Sequence, residues 1–419
     1  MDFEDLKKFA RKFEASLDTN TGQWNFKTDP NNPRDVEDLA RFVQTIQPTP
    51  VPTLVPTPAR QENLTGTSIE ETAARYQTRH QKIKSAKTLY EYGNYHKHFK
   101  NWVATRKRVN PYPIRLITNE DIGLYIDDLI EEGKSPQSIQ TKYLGALNAL
   151  FEFAKTIGAF PKQEIIPTRN HKIFNKAKHK ADRKPFSIED LQKIFQPENL
   201  NKTRHPEQFW APLLGLFTGG RLGELSQLRV TDIQKIEGIW SISINEEEDK
   251  TVKTQAGIRT IPIHPILIEI GFLDYIDEIK NFNSRLFPEL IPDQFGHYTK
   301  QPSRRFGEYL DKLGITEKSK VFHSFRSTAN NQLKQAGVPE ETRCQFIGHE
   351  HETTNSSTYA EPHSIYYLLE NVASKLIFPI DFSALKYKKG KFSTFISREL
   401  QKQASKERNK QAKQKRSQS

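Results

Sequence analysis

The sequence predicts a mainly α-helical protein with one small β-hairpin, and three observations carry that prediction. Apolar residues recur at three- and four-residue spacing from about residue 67 to 160, and again over most of 187–376. Serine, threonine and Ser-Pro steps open these runs, and glycines close several of them. One pair of segments follows a different period: Ile239-Trp240-Ser241-Ile242-Ser243-Ile244 alternates as a strand, and Arg259-Thr260-Ile261-Pro262-Ile263 answers it.

Taken in order, residues 1–47 form an N-terminal segment with Phe3, Leu6, Phe9, Phe13 and Leu17 at helical spacing, so a small helical piece is expected. Residues 48–66 are a linker, because five prolines between Pro48 and Pro58 exclude helix and inner strand. Residues 67–168 are expected to hold four helices. Ser68–Lys84 and Ser85–Val103 are basic and amphipathic. Thr118–Glu132 starts on a threonine cap and stops at Gly133. The fourth begins at Ser135-Pro136 and lines up Ile139, Tyr143, Leu147, Leu150, Phe151 and Ala154. Residues 169–184 are a basic connector. Ser187-Ile188-Glu189-Asp190 then reads as a capped helix start opening a second domain, 185–378. Residues 379–419, rich in Lys, Gln and Ser, are expected to be a basic tail, disordered or a lone helix.

The net charge of +12 is uneven. Residues 386–419 contain twelve Lys/Arg and two acids; Ala74–Arg115 holds eleven bases against Glu91 alone, and Arg169–Lys184 seven against Asp182. Three basic stretches on a body otherwise near neutrality suggest a long polyanion, with duplex DNA the leading candidate. The candidate contacts are Arg75, Arg79, Lys82, Lys84, Lys87, Lys97, Lys100, Arg106, Lys107, Arg108, Lys172, Lys176, Lys178 and Lys180. Any one of these stretches alone would more readily be a solvated helix face. No run of about 18 apolar residues suggests a membrane span. The acidic start Met1-Asp2-Phe3-Glu4-Asp5 does not read as a secretory signal, and one cysteine, Cys344, leaves no disulfide framework or Cys-rich zinc site. A cytoplasmic protein without a metal or organic cofactor is expected.

The chemistry centres on Phe217-Thr218-Gly219-Gly220-Arg221-Leu222-Gly223-Glu224-Leu225. If a helix begins after the paired glycines, Arg221 shares a face with Leu225 and Leu228. A guanidinium among leucines is either a structural ion pair with Glu224 or a group awaiting an anion, and its planar fork suits phosphate. Downstream stand Lys253 on the hairpin, His323 and Arg326 three apart on one helix face, His349 after a glycine stop, and Tyr359 in a Thr/Ser-rich stretch. Tyr366 and Tyr367 are rival nucleophiles by type, but they sit in a segment that reads as a burying helix. Glu246–Asp249 read as a solvated tip.

In chain order these residues resemble the tyrosine recombinase, or phage integrase, family. The resemblance rests on Thr218-Gly219-Gly220-Arg221-Leu222-Gly223-Glu224, the Lys253-Thr254…Arg259-Thr260-Ile261-Pro262 hairpin, His323-Ser324-Phe325-Arg326, Gly348-His349 and Tyr359. The register to Arg259 selects Lys253 over Lys250, which is left on the hairpin's solvated flank. The resemblance implies a four-helix, SAM-like core-binding domain followed by a DNA breaking-rejoining catalytic domain. It implies Tyr359 as nucleophile forming a 3′-phosphotyrosyl link, Arg221 and Arg326 on the phosphate, Lys253 as acid, His323 as base or shuttle and His349 as a hydrogen-bond donor. Glu224 would orient Arg221. It further implies duplex attachment sites as partners, a homotetramer on synapsed DNA formed from free monomers, and accessory DNA-bending proteins. Competing readings are a type IB topoisomerase-like enzyme, a non-catalytic DNA-binding accessory protein and a metal-dependent nuclease.

Overall fold

The computed structural model describes residues 65–173, 183–350 and 361–418, with side chains to Asn409, and the backbone of two short strands at 14–17 and 24–27. Those strands, β1 (Glu14–Leu17) and β2 (Trp24–Lys27), pair antiparallel with Leu17 opposite Trp24 and Glu14 opposite Lys27. Strand pairing replaces helix over this part of the segment expected to be helical. In sequence, Asp18-Thr19-Asn20-Thr21-Gly22 is rich in residue types that disfavour helix, and Trp24 and Phe26 suit a strand better than a helix.

Residues 69–166 share one hydrophobic core. Helix α1 (Ile69–His80) is capped by the Ser68 side chain, α2 (Ala86–Lys107) by Ser85, and α3 (Asn119–Glu131) by a reciprocal Thr118–Asp121 capping box. Helix α1 stops before the expected Lys84: Ile83 is left exposed, so the extra turn has nothing to bury. Helix α2 runs on past Val103, with Arg106 over the Trp102 ring at 5.4 Å, and ends where Arg108 turns left-handed. The fourth helix starts at Pro136, passes through a π-helical turn at Ile139–Tyr143, and continues as α4 (Leu144–Thr156). Leu144, Leu147, Leu150 and Phe151 are fully buried.

A second core runs from Phe186 to Ile396. Helix α5 (Ile188–Phe195) opens with the Ser187–Asp190 capping box. Helix α6 (Pro206–Thr218) is buried along its length and packs on α10 (Ser324–Gln335), bringing two distant parts of the chain together. Between them come α7 (Leu222–Ser226), a three-stranded antiparallel sheet, α8 (Phe272–Ile279) and α9 (Lys300–Lys312). The sheet is β3 (Ile233–Ile236), β4 (Ile239–Ile244) and β5 (Arg259–Pro262), with β4 central. The expected hairpin is therefore β4–β5. The added strand β3 is four residues long, and its Gln234-Lys235 centre hides its period.

Helices α11 (Glu340–Ile347) and α12 (Ile365–Asn371) follow, and the chain ends in α13 (Ser393–Gln418). The last helix corrects the expectation of a tail without a core. Phe382, Leu385, Tyr387, Phe392 and Ile396 are all buried in the second core, with Phe395 and Leu400 against it. Their irregular spacing among twelve basic residues masks the pattern. No described helix is long and apolar enough to cross a membrane.

Candidate active site

The site forms where α6 ends. Gly219 takes a left-handed φ of 62°, which terminates α6 and turns its carbonyl toward α10. Arg221 follows as the N-cap of α7, with Leu228 beyond the helix end. The helical register linking Arg221, Leu225 and Leu228 is thus not formed; α7 is only five residues long. The Arg221–Glu224 ion pair is formed instead: Nη1 donates to Oε1 at 2.6 Å and the backbone N–H to Oε2 at 3.0 Å. The arginine side chain still keeps 22% of its surface exposed, whereas Glu224 keeps 3%.

Glu224 also receives Arg259 Nη2 at 3.0 Å, a partner not singled out from sequence. Arg259 is buried on β5. Its Nε donates to the Phe346 carbonyl at 2.9 Å and its Nη1 to the Gly257 carbonyl at 2.7 Å. One guanidinium therefore ties together the carboxylate that holds Arg221, the base of the β4–β5 loop and the end of α11. Burial alone would raise the Glu224 carboxyl, but the Arg259 charge and the Arg221 contacts outweigh it and hold it low. The fit around Arg259 leaves no room at Gly348: at its φ of 80°, a Cβ would lie 2.5 Å from Arg259 Nη1.

Arg326, in the first turn of α10, is 1% exposed. Its Nη1 donates to the carbonyls of Gly219 at 2.9 Å and of Ile347, its Nη2 to that of Gly348 at 2.7 Å, and its Nε to His349 Nε2 at 3.0 Å. Accepting through Nε2 leaves the His349 proton on Nδ1, so Nδ1 is the atom that can donate onward. Burial first, then the charges of Arg221 and Arg259, push the Arg326 guanidinium down to about 9. His323, the N-cap of α10, is pushed to about 4 by burial and then by Arg183, Arg326, Arg221 and Lys253. His349 reaches about 4 through partial burial, then Arg326, Arg221, His323 and Arg259. Both imidazoles are therefore neutral at pH 7, and the site holds an excess of positive charge that an anion would relieve.

Lys253 is exposed on the loop between β4 and β5, close enough for its charge to act on His323. Lys250 is not on a solvated flank. It is buried and paired with the buried Asp232, because the chain turns inward there. The acidic tip is likewise engaged: Asp249 pairs with Arg229 at 2.8 Å and with Arg285, and Glu248 with Arg229 at 2.6 Å. Among the described residues no group of three or more His, Cys, Asp or Glu could hold a metal. Tyr359 lies outside the described residues. The chain resumes at Glu361, and His363 is held on α11 by two hydrogen bonds with Gln345, each of 3.0 Å. Of the rival tyrosines, Tyr366 is exposed rather than buried, since α12 presents only Leu368 fully to the core.

The candidate DNA contacts divide. Arg75, Lys100, Arg106 and Lys107 pair with Glu71, Glu70, Asp128 and Asp121; Lys107 in particular serves a buried carboxylate. Lys84 lies 5.6 Å from the Tyr92 ring centre and Arg79 5.8 Å from that of Phe153. Lys82, Lys87, Lys97, Arg108 and Lys172 are exposed; Lys176, Lys178 and Lys180 lie outside the described residues. Sequence reasoning missed Lys300 and Arg304, which line a cleft with Lys87, Arg183 and His323. Their i, i+4 spacing on α9 was the available signal.

Residues 184–364 match the model of the phage integrase family. A XerC-like tyrosine recombinase of Caldanaerobacter subterraneus subsp. tengcongensis is 26% identical over 294 residues, covering 63% of this chain and 72% of its own. Among solved structures, the Tn1549 transposon integrase in complex with a circular intermediate DNA shares the fold with a TM-score of 0.51 at 18% identity, over 70% of this chain and 95% of that one. The XerH site-specific recombinase bound to a palindromic difH substrate, a post-cleavage complex, gives 0.50 at 16% identity, over 71% and 93%. The glycine turn, the arginine cluster and both histidines all lie within residues 184–364, the stretch that matches the phage integrase family model.

Proposed function

We propose that the chain is a site-specific DNA recombinase that cuts and rejoins strands through Tyr359. The observation that carries this reading is the charge at the site: Arg221 and Arg259 share one carboxylate, Glu224, while Arg326 is bonded only to backbone carbonyls and His349. A phosphodiester at Arg221 and Arg326 would supply the missing negative charge, and its oxygens fit guanidinium donors. The Tyr359 oxygen attacks phosphorus and passes its proton to neutral His323. The bond from phosphorus to the 5′ oxygen breaks, and that oxygen takes a proton from the Lys253 ammonium. The His349 Nδ1–H donates to a non-bridging oxygen. Reversal of these transfers, with a new 5′ hydroxyl attacking the phosphotyrosine, rejoins the strand.

Duplex attachment sites of a phage or transposon-like element are the proposed substrate. They would be held between the first four helices and the catalytic domain, with four protomers on two synapsed sites assembled from free monomers. DNA-bending accessory proteins and a cytoplasmic setting belong to the same reading. The test is a nicked suicide duplex incubated with protein in excess chelator. A covalent adduct is expected for the parent and none for Tyr359→Phe, which should bind DNA with unchanged affinity. An adduct on Tyr366 or Tyr367, or loss of cleavage with chelator, would refute the assignment.

A further inference from the structure

The loop from Asn245 to Ile258 joins β4 to β5 and carries Lys253. A connection of this length would ordinarily sample many positions. This one is held along its first half. The Gln227 side-chain amide grips the backbone of Thr251 at both ends: Nε2 donates to the Thr251 carbonyl at 2.7 Å and Oε1 accepts the Thr251 N–H at 3.0 Å. Gln227 is itself buried, 6% exposed, so its amide is fixed by its surroundings although Thr251 is exposed. The neighbouring Lys250–Asp232 pair holds the loop only through a flexible four-carbon stem. On the far side, Val252 packs over Gly257, where a Cβ would lie 2.2 Å from Val252 Cγ1. Gln255–Gly257 form a 3-10 turn, with the Gly257 N–H donating to the Thr254 carbonyl at 2.8 Å, so Lys253 is left between two held segments.

Gln227 is also the C-cap of α7, the short helix whose N-cap is Arg221. The same five-residue helix thus sets the phosphate-facing guanidinium at one end and the loop's backbone anchor at the other. We infer that Gln227 is a positioning residue for strand cleavage: its two-point hold on Thr251 places Lys253, two residues on, at a fixed reach from the phosphate held by Arg221. Two residues span at most about 7 Å of backbone, so the ammonium cannot stray far from that anchor. The inference rests on the proposed role of Lys253 as the proton donor to the 5′ oxygen.

The test compares single-turnover cleavage of two suicide duplexes by the full chain. One has the ordinary 5′ oxygen at the scissile bond and the other has sulfur there, a leaving group that needs no proton. Gln227→Met keeps the volume and removes both hydrogen bonds; Gln227→Glu keeps the acceptor for the Thr251 N–H and loses the donor. On the oxygen substrate, Gln227→Met should be slowed about 10- to 100-fold, the scale of a small displacement of a catalytic group, with Gln227→Glu in between. On the sulfur substrate both should cleave within about threefold of the parent, as should Lys253→Ala. Equal slowing of both Gln227 variants on the two substrates, or no slowing on either, would overturn the inference while leaving Lys253 as the acid. Lys253→Ala that sulfur does not rescue would overturn the acid assignment, and the inference with it.

Discussion

Lys250→Ala is the sharpest test of how the sheet is built. The substitution removes the ammonium that pairs with Asp232, in a site where the two side chains keep 3% and 2% of their surface. Deleting one partner of a buried pair strands the other charge and costs about 3–5 kcal/mol. Asp232 keeps two other donors, the Arg229 N–H at 2.8 Å and Asn245 Nδ2 at 3.1 Å, so the lower end, about 3 kcal/mol, applies. For a domain of this size that is a drop of about 6–12 °C in the midpoint of the second domain's thermal transition. The companion Lys250→Met with Asp232→Asn removes both charges at similar volume and should recover most of the loss. The assay is thermal and urea unfolding of parent, single and double variants at pH 7. A Lys250→Ala midpoint within 2 °C of the parent, or a double variant no more stable than the single, would refute the reasoning.

Two further outcomes follow from burial. Truncation before Lys386 removes the buried Tyr387, Phe392 and Ile396, so it should unfold the second domain by circular dichroism; ending the chain after Lys406 keeps those anchors and should leave the melting profile within 2 °C of the parent. The second concerns His264, which caps the short helix Pro265–Glu269 by accepting the Ile266 N–H on Nδ1, and whose ring burial pushes to about 4 from 6.5 against a smaller opposing contribution from the Ala373 backbone. Between pH 6.5 and 4 the unfolded chain binds a proton that the folded ring refuses, so stability is full above 6.5 and falls as pH drops through this window, by about 3 kcal/mol. His264→Asn keeps a capping acceptor without titrating, and its urea midpoint should fall less steeply over the same range; an unchanged slope would refute the assignment.

Helices with polar caps and one buried face were legible because caps and period are local: Ser68, Ser85, Thr118 and Ser187 each start a helix as their spacing implies. Arg221, Lys253, His323, Arg326 and His349 could be picked out as candidates because they resemble a family motif in chain order and phosphodiester chemistry calls for those residue types. What sequence did not give was partnership. The register to Arg259 separates Lys253 from Lys250, but nothing local in that polar loop shows that Lys250 is buried on Asp232 while Lys253 is exposed. Arg259 reads as an ordinary strand residue until Glu224 and Phe346 are brought to it. The basic end of the chain conceals Phe392 and Ile396 for a similar reason: charge dominates the composition, while burial is decided by a few large side chains.

Arg259 has a consequence for how the enzyme is made and broken. Its guanidinium closes on Glu224, 35 residues earlier, and on Phe346, 87 residues later. A chain that has emerged only as far as β5 can form the first contact but not the second. It then exposes a half-satisfied cation that later has to be enclosed. Arg221, the β4–β5 loop and the approach to His349 therefore have no favourable intermediate in which one is set and the others are not. Local opening at any of them releases the same guanidinium, so the candidate site should appear and vanish as one cooperative unit, and a fragment ending before α11 would carry the residues of half that site without its geometry.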